Sequence, residues 1–316
     1  MERPSAVTVT EPIALAVVGV GKIARDQHLP SIAANPAFRL GATVSRSGGV
    51  DGVENFETIE QLLNERPDIA AVSLCQPPQV RFDAAAAAIA ARRHVLLEKP
   101  PGATVSEVRT LRRLAEANGV TLFATWHSRF AAAVERARDW LASRTVHAVK
   151  ITWKEDVRRW HPGQDWIWQP GGLGVFDPGI NALSIVTRLL PALRVTGAVL
   201  EFPSNRDAPI AAGIEMAGEG FDASAEFDWR QTGPQTWDIE VATNHGTLVL
   251  TNGGARMLVD GEASLVAEDR EYPGIYAHFA GLVRTGRSDV DLVPLMLVAD
   301  AFMVGRRVET EAFEIG

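Results

Sequence analysis

Ile13-Ala-Leu-Ala-Val-Val-Gly-Val-Gly-Lys-Ile-Ala24 is the stretch that decides the fold of the first part of the chain. An aliphatic run leads into a GxGxxA pattern, which predicts a strand, a tight turn and the start of a helix. Small residues at these positions allow a close approach of the backbone to a pyrophosphate and close packing of helix on strand. Free N–H groups at the helix start favour an anion. A turn that binds no nucleotide is the alternative, but the flanking strand and helix favour dinucleotide binding.

Short apolar runs alternate with helical patterns through the first 125 residues. This alternation predicts βαβ units, a parallel sheet and helices on both of its faces. Two capping boxes, at Thr58–Gln61 and Thr104–Glu107, predict helix starts, and Asn118-Gly119 predicts a helix end. The predicted strands are Ile13–Val18, Arg39–Ser45, Ile69–Cys75, His94–Glu98 and Thr121–Thr125.

The pattern changes after residue 126. Ala131–Leu141 has helical spacing, whereas three later segments alternate apolar and polar residues, as strands with one buried face do. Asn252-Gly253 predicts a hairpin turn. We therefore expect an α/β domain at 11–126 and an α+β domain with an antiparallel or mixed sheet at 127–316, closed by a helix at Leu292–Val308 that is a candidate to pack on the first domain. The alternating segments are His147–Glu155, Ala225–Arg230 and Trp237–Val241.

Composition excludes several classes of function. The 316 residues carry a formal net charge of −8, which disfavours binding to nucleic acid or to an anionic membrane. The longest apolar runs are too short to span a membrane, and the N-terminus lacks a signal-peptide pattern, so we expect a cytoplasmic protein. A single cysteine, Cys75, excludes internal disulfides and paired-cysteine sites, and we expect its thiol to be inert. The histidine spacing predicts no metal site, and no motif supports acyl transfer.

The end of the second predicted strand bears on the cofactor. Ser45-Arg46 lies 24 residues beyond Gly21, where NAD-specific sites usually place an acid that binds the ribose. A guanidinium and a hydroxyl there can instead bind a 2′-phosphate. We therefore expect NADP, with NAD also accepted. The alternative is that Arg46 is a solvated charge at a strand end.

Glu98-Lys99-Pro100-Pro101 follows another predicted strand. In an open parallel sheet the carboxyl ends of the strands border the ligand crevice, so Lys99 is expected to point toward a bound nicotinamide. An ordinary surface lysine before a proline turn is the alternative. The Lys99–Pro100 bond is a candidate for the cis form.

Asp177 and Asn181 stand four residues apart in Phe176-Asp-Pro-Gly-Ile-Asn181. If a helix begins here, both side chains project from one face. The alternative for Asp177 is a purely structural helix cap, since Asp-Pro is a favourable start of a helix.

Residues 153–168 hold four of the eight tryptophans, interleaved with charged residues and His161. Glu155 continues the apolar row of the strand before it, which is an unusual place for a carboxylate without a partner. Flat apolar faces beside hydrogen-bonding groups suit a sugar ring. An aromatic core edge or a subunit interface with a charged rim is the alternative.

Together these motifs resemble the glucose–fructose oxidoreductase/inositol dehydrogenase family over nearly the whole chain. The resemblance rests on Gly19–Ala24, His28-Leu-Pro30, Glu98-Lys-Pro100 and Gly174–Asn181. It implies a Rossmann dinucleotide-binding domain and an α+β domain with a large, mostly antiparallel open sheet that mediates homodimer formation. Most members carry a histidine in the last motif, where this chain has Asn181.

Four stretches are similar to the family's bacterial 1-dehydrogenases of L-arabinose and D-galactose, two sugars that match at ring carbons 1 to 4. These stretches are Glu98–Gly102, Phe123–Arg129, Trp153–Gln164 and Asp177–Leu183. The resemblance implies that Lys99, Asp177 and Asn181 contact the substrate, and we expect these three to be the catalytic residues. We expect no metal and no partner beyond a small sugar and a second copy. The expected substrate-binding residues are Glu155, His161, Trp160 and His127. The expected cofactor-binding residues are Gly19, Gly21, Lys22, Ile23, Ala24, Ser45, Arg46, Cys75, Pro77, Glu98 and Lys99.

The reaction expected from these residues is oxidation of a cyclic aldose at C1 to the lactone. Asp177 would take the hydroxyl proton, with Lys99 as the alternative base, while Lys99 and Asn181 hold the C1 oxygen. Two alternatives are open at this point. The substrate could be a polyol, an inositol or a biliverdin-like molecule, or the protein could be a silent dinucleotide-binding sensor that represses transcription with a partner.

Overall fold

The computed structural model describes residues 11–190, 192–266 and 270–314. A six-stranded sheet lies in the first part of the chain, and its strand order is β3-β2-β1-β4-β5-β6 with every pair parallel. This is the order of the Rossmann fold, and the predicted parallel sheet is confirmed. The strands are β1 (Ile13–Val18), β2 (Phe38–Val44), β3 (Asn55–Phe56), β4 (Ala71–Leu74), β5 (His94–Leu97) and β6 (Leu122–Ala124).

Helices connect these strands, and two of them begin at the predicted capping boxes. Thr58 and Thr104 each form a complete capping box, so two orphan backbone N–H groups are satisfied at each helix start. Gly119 adopts a left-handed conformation and ends the longest of these helices. The helical segments are a π-helical turn (Ala24–His28), α1 (Leu29–Ala33), α2 (Ile59–Glu65), α3 (Arg81–Ala90) and α4 (Val105–Asn118).

We call the six-stranded sheet with its connecting helices the first layer. A nine-stranded sheet forms the second layer, in the order β14-β13-β12-β11-β7-β10-β9-β8-β15. Among the described strands of this sheet, only the pairs β7–β10 and β8–β15 are parallel, so the expectation of a large, mostly antiparallel sheet is confirmed. The strands are β7 (Val146–Lys154), β8 (Arg194–Pro203), β9 (Ala211–Ala217), β10 (Asp222–Asp228), β11 (Thr236–Thr243), β12 (Gly246–Thr251), β13 (Arg256–Val259), β14 (Glu262–Val266) and β15 (Arg306–Thr310).

One face of the second sheet carries the main hydrophobic core. Alternate residues of β9 show this clearly, because Ile214 and Met216 are buried while Gly213 and Glu215 are exposed. The predicted turn at Asn252-Gly253 joins β12 to β13, and both of its residues have positive φ. The helices packed on this core are α5 (Val134–Leu141), α7 (Phe176–Leu189) and α9 (Val293–Val304), and the short α6 (Val157–Trp160) follows β7.

Helix α8 (Glu271–Thr285) returns to the first sheet, although it lies late in the chain. Tyr276 and Phe279 on α8 pack with Leu15, Val17 and Phe38 in one buried cluster. The two layers are therefore joined by a crossover of the chain as well as by the connection at residue 126.

The predicted closing helix at Leu292–Val308 is wrong in its second part. Helix α9 ends at Val304, and Arg306–Thr310 forms β15, paired in parallel with β8 at the edge of the second sheet. Gly305 has an extended conformation that ends the helix. A Cβ at this position would lie 2.4 Å from the carbonyl oxygen of Ala301, so only glycine fits the turn. Helix α9 packs mainly against α7 and β8 rather than on the first layer.

Candidate active site

The glycine-rich turn after β1 packs closely against the end of β4. Gly19 has φ of +87°, and a Cβ on it would lie 2.9 Å from the backbone nitrogen of Gln76. Only glycine is compatible with this conformation and contact. A Cβ on Gly21, in contrast, would meet nothing within 4 Å, because this residue faces an open cavity. The turn therefore leaves its backbone accessible at the start of the helix, which fits a bound pyrophosphate.

This cavity has a volume of about 550 Å³ and lies at the carboxyl ends of β1, β4 and β5. Ligands of open α/β sheets bind in such a crevice, where the strand order reverses. We refer to it as the cofactor cavity. Its lining includes Gly21, Lys22, Ile23, Cys75, Gln76, Pro77, Arg81, Glu98 and Lys99 from the first layer and Trp160, His161, Gln164, Trp166 and Asp177 from the second.

Four of the expected cofactor-binding residues lie outside this lining. Gly19, within the turn, packs against the backbone of Gln76, and Ala24 is buried. Ser45 and Arg46 follow β2, where the Ser45 hydroxyl lies 3.2 Å from the Ser47 hydroxyl and Arg46 is exposed. Among the described residues, no side chain pairs with Arg46, so its guanidinium is available to an anion.

A second cavity of about 450 Å³ adjoins the first, and we refer to it as the substrate cavity. It is lined by His127, Ser128, Trp153, Glu155, Asn181, Trp237, Asn252, Glu271 and Tyr272, among others. Six residues line both cavities and thus mark the place where the molecules bound in the two cavities would meet. These are Ile23, Gln27, Lys99, Trp160, His161 and Asp177.

Lys99 and Asp177 form an ion pair at this junction. The Lys99 Nζ donates to Asp177 Oδ2 and to the Asp177 backbone carbonyl, each at 3.0 Å. The two side chains are 14% and 3% exposed, so the pair is largely shielded from bulk water. A charge pair in such an environment interacts more strongly than one at the surface.

Helix α7 supplies both Asp177 and Asn181. Its N-cap position is Val175, so Asp177 lies in the first helical turn and does not cap the helix. Its Oδ1 atom is buried and has no hydrogen-bond partner among the described residues, which leaves acceptor capacity on the carboxylate. Asn181 lies one turn further along and lines the substrate cavity.

His161 lies between two carboxylates. Its Nε2 atom is 3.7 Å from Asp177 Oδ2 and 3.6 Å from Glu155 Oε1. Glu155, the unusual carboxylate at the end of β7, is buried and accepts a hydrogen bond of 2.9 Å from the Trp237 indole. The sequence did not reveal this partner, because Trp237 is on β11 and follows 82 residues later.

Aromatic rings form one wall of the substrate cavity. Trp153 stacks on Trp237 with ring centroids 5.9 Å apart, and Trp160 tilts against Trp237 at 5.3 Å. The arrangement places flat apolar faces beside the Glu155 carboxylate and the His161 ring. Such a combination of surfaces suits a sugar, which presents both C–H groups and hydroxyls.

On another side of the substrate cavity, His127 is hydrogen-bonded to Glu271 and stacks on Tyr272. Burial lowers the pKa of His127, but the adjacent Glu271 carboxylate outweighs this effect and raises it above 6.5. Two of these groups, Glu271 and Tyr272, come from the first turn of α8, and no sequence pattern pointed to either.

Buried polar groups hold the turn that carries Lys99. The Arg81 guanidinium donates to the backbone carbonyls of Glu98, Pro100 and Gln76. The Glu98 carboxylate accepts from the Lys99 backbone N–H, and the Lys99–Pro100 bond is cis. Burial raises the pKa of Glu98, but the hydrogen bond to His28 and the charges of His28, His127 and Lys99 together outweigh this effect and lower the pKa to about 2. Glu98 is therefore ionised.

The described residues contain no cluster of three or more His, Cys, Asp or Glu side chains that could hold a metal ion. None of the described helices is long and apolar enough to cross a membrane.

Comparison with known proteins relates this geometry to a family. Residues 13–125 match the sequence model described as "Oxidoreductase family, NAD-binding Rossmann fold". The chain is 50% identical to galactose 1-dehydrogenase from Pseudomonas fluorescens over 307 residues, which cover 96% of this chain and 99% of the relative.

Solved structures give a similar result. The crystal structure of a D-galactose-1-dehydrogenase protein from Rhizobium etli is 58% identical, covers 98% of this chain and all of its own, and superposes with a TM-score of 0.94. A 3-ketoreductase from Actinomadura kijaniata, solved with NADP and TDP-benzene, has a TM-score of 0.79 at 22% identity, covering 95% of this chain and 99% of its own. At that identity the second likeness shows the fold alone.

Proposed function

This chain belongs to the oxidoreductase family with the NAD-binding Rossmann fold, whose motifs its sequence carries, and we propose that it oxidises a cyclic aldose at C1. The proposed substrates are L-arabinose and D-galactose, and the product is the lactone. The C1 hydride leaves with its electron pair, the C1 hydroxyl loses its proton to a base, and C1 becomes a carbonyl carbon. A bound NADP supplies the hydride acceptor at C4 of its nicotinamide.

The observation that carries this proposal is the Lys99–Asp177 pair at the junction of the two cavities. The 3.0 Å contact unites a strand end of the first layer with a helix start of the second. A reaction that transfers hydride from one ligand to another needs proton-transfer groups where the two ligands meet. Of the six residues that line both cavities, Lys99, His161 and Asp177 can ionise.

Asp177 is the proposed base. The anomeric hydroxyl is more acidic than an ordinary alcohol, so a carboxylate can accept its proton. Lys99 and Asn181 hold the C1 oxygen, and the Lys99 ammonium stabilises negative charge that develops on it. Lys99 is the alternative base, and the activities of the Asp177→Asn and Lys99→Met variants distinguish the two assignments.

Glu155, His161, Trp160 and His127 are the proposed contacts to the rest of the sugar. The Trp237 indole already binds one oxygen of Glu155, so the carboxylate is held in place before substrate arrives. Its other oxygen and the His161 ring offer polar contacts to hydroxyls, while the tryptophan faces stack on C–H groups.

For the cofactor we propose a preference for NADP over NAD. Ser45 and Arg46 follow β2 beside the glycine-rich turn, and neither is an acid that would repel a 2′-phosphate. A second guanidinium lies beside the same loop, since Arg25 Nη2 donates to the Gly49 carbonyl at 3.1 Å. The guanidinium groups of Arg46 and Arg25 offer positive charges suited to a phosphate.

The proposal also includes a cytoplasmic homodimer formed through the uncovered face of the nine-stranded sheet. Exposed residues alternate with buried ones along its strands, for example Glu215 on β9 and Glu226 on β10. Sedimentation analysis of the purified chain tests the oligomeric state.

The experiment that tests the function is a rate measurement with L-arabinose, D-galactose, D-glucose and myo-inositol, each with NADP and with NAD. We expect reduction of the coenzyme with the first two sugars and higher kcat/KM with NADP. The product is identified by NMR and by its reaction with hydroxylamine, which traps a lactone as the hydroxamate. Turnover only with myo-inositol, or oxidation at another ring carbon, would overturn the proposal, and absence of turnover with every compound would favour the silent sensor.

A further inference from the structure

We propose that Tyr272 is a positioning residue for the reaction, acting on Lys99 through the Glu98 carboxylate. The inference rests on the proposed function and deepens it, because it names a group outside the Lys99–Asp177 pair that sets the geometry of that pair.

Tyr272 reaches the Lys99 turn from a distant part of the chain. Its hydroxyl donates to Glu98 Oε1 at 2.5 Å, across 174 residues of sequence. The other oxygen of the same carboxylate accepts the Lys99 backbone N–H. One carboxylate thus connects the first turn of α8 to the residue that holds Asp177.

Glu98 depends on these donors. The residue is 2% exposed, and a buried carboxylate is stable only when hydrogen bonds and a counter-charge replace its water. His28 supplies the counter-charge, with its Nε2 atom 3.4 Å from Oε1, whereas Tyr272 supplies the shorter contact. Loss of the Tyr272 hydroxyl leaves Oε1 with His28 alone, so the carboxylate is free to shift toward it.

A shift of Glu98 would be transmitted to Lys99, because the two are adjacent and share a hydrogen bond. Arg81 fixes the carbonyls of the turn, and the Glu98 carboxylate fixes the N–H of Lys99. Catalytic groups need placement within roughly 0.5 Å, and a misplacement of about 1 Å can cost on the order of 100-fold in rate. The Tyr272 hydroxyl is thus expected to affect kcat more than binding.

Helix α8 provides a matched control one turn away. Tyr276 is also buried, and its hydroxyl is hydrogen-bonded to His28 Nδ1 at 2.8 Å and to the Ser73 hydroxyl at 3.3 Å. It does not contact Glu98. Tyr272→Phe and Tyr276→Phe therefore each remove one buried hydroxyl from the same helix, and only the first removes a donor to the carboxylate.

The test compares kcat, both KM values and melting temperature in the two variants and the wild type. For Tyr272→Phe we expect kcat to fall about 10- to 100-fold, as for loss of a hydrogen bond to a charged group, with both KM values within about threefold. A C1-deuterated sugar should show a larger isotope effect on kcat, because the chemical step becomes slower. Tyr276→Phe should keep kcat within about threefold at a similar loss of melting temperature. Equal losses of kcat in both variants, or an unchanged kcat in Tyr272→Phe, would overturn the proposal.

Crystal structures of the same two variants separate this proposal from the proposed function. If the wild type turned over no sugar, the proposed function would fail. The distance from Lys99 Nζ to Asp177 Oδ2 in the two variants would still show whether Tyr272 positions Lys99. A distance longer by about 0.5 Å or more in Tyr272→Phe alone supports it. A distance unchanged in both variants contradicts it.

Discussion

Lys99 donates to both the Asp177 side chain and the Asp177 backbone carbonyl, each at 3.0 Å, across the boundary between the two sheets. Lys99 follows β5 of the parallel sheet, and Asp177 lies in the first turn of α7 on the second sheet. The Lys99–Asp177 distance therefore depends on how the two layers pack against each other. The proton transfer proposed for this pair depends on the same packing.

The first prediction concerns the base. Asp177→Asn keeps the size of the side chain and removes its ability to accept a proton, so kcat should fall by at least about 100-fold while NADP still binds. Lys99→Met should lower kcat to a similar degree if Lys99 is the base, and less if it only holds the C1 oxygen. Steady-state rates and cofactor titration by fluorescence give both quantities.

The matched control for the first prediction is Asp165→Asn. Asp165 is exposed, belongs to the same tryptophan-rich region and lines neither cavity. Its activity should stay within about twofold of the wild type. Near-normal turnover in Asp177→Asn would remove Asp177 from the chemistry.

The second prediction concerns cofactor choice. Arg46→Asp places a carboxylate where the 2′-phosphate is proposed to bind, so kcat/KM for NADP should fall at least about tenfold while kcat/KM for NAD changes little. Arg112→Asp on α4 makes the same change of net charge on an exposed residue outside the cofactor cavity. An equal loss in both variants would show a general charge effect, and an unaffected NADP value in Arg46→Asp would refute the assignment.

The third prediction concerns the support of Glu155. Trp237→Phe removes the indole donor and keeps an aromatic ring, so KM for the sugar should rise roughly 5- to 20-fold, with KM for the cofactor unchanged. Trp153→Phe trims the ring stacked on Trp237 and leaves the donor in place. A similar rise of KM in both variants would assign the effect to lost stacking rather than to the hydrogen bond.

The fourth prediction concerns stability and pH. Burial lowers the pKa of His28, but Cys75, Tyr276 and the hydrogen bond to Glu98 raise it well above 6.5. A raised pKa in the folded state stabilises the fold at low pH, and this contribution is lost as pH rises above 6.5 through the folded pKa. The lowered pKa of Glu98, about 2 against an ordinary 4.5, acts in the opposite sense, since its contribution is lost as pH falls below 4.5.

The wild type should therefore exceed His28→Gln in melting temperature by the largest margin between about pH 4.5 and 6.5. Differential scanning fluorimetry across pH 3 to 10 measures this margin. His147→Gln, at an exposed position on β7, is the control. A margin that grows as pH rises above 6.5 would contradict the charged His28–Glu98 pair.

Local signals in the sequence predicted much of the first layer. The aliphatic run Ile13–Val18, the capping boxes at Thr58 and Thr104 and the stop at Gly119 each act within a few residues, so the sequence alone reveals them. Helix α8 carries no such signal, because Pro273 and Gly274 disfavour a helix interior. Pro273 lies in the first turn, where its missing N–H costs nothing.

For the candidate site, too, the sequence predicted the residues that local signals position and missed the contacts between distant residues. Lys99 and Asp177 could be predicted because a strand end and a helix start position them. The Trp237–Glu155 and Tyr272–Glu98 contacts join residues 82 and 174 positions apart, so only the tertiary structure reveals them. Strand β15 could not be predicted either, because its exposed arginines are also compatible with the surface of a helix. Its pairing with β8, which lies far away in the sequence, is what makes this segment a strand.

Because α8 covers one face of the parallel sheet, the nucleotide-binding half is not expected to be an autonomous folding unit. A fragment truncated near residue 126 would expose Leu15, Val17 and Phe38 to water. Such a fragment should aggregate or bind dye that reports exposed apolar surface, and supplying α8 as a separate peptide or a fused segment should restore its solubility.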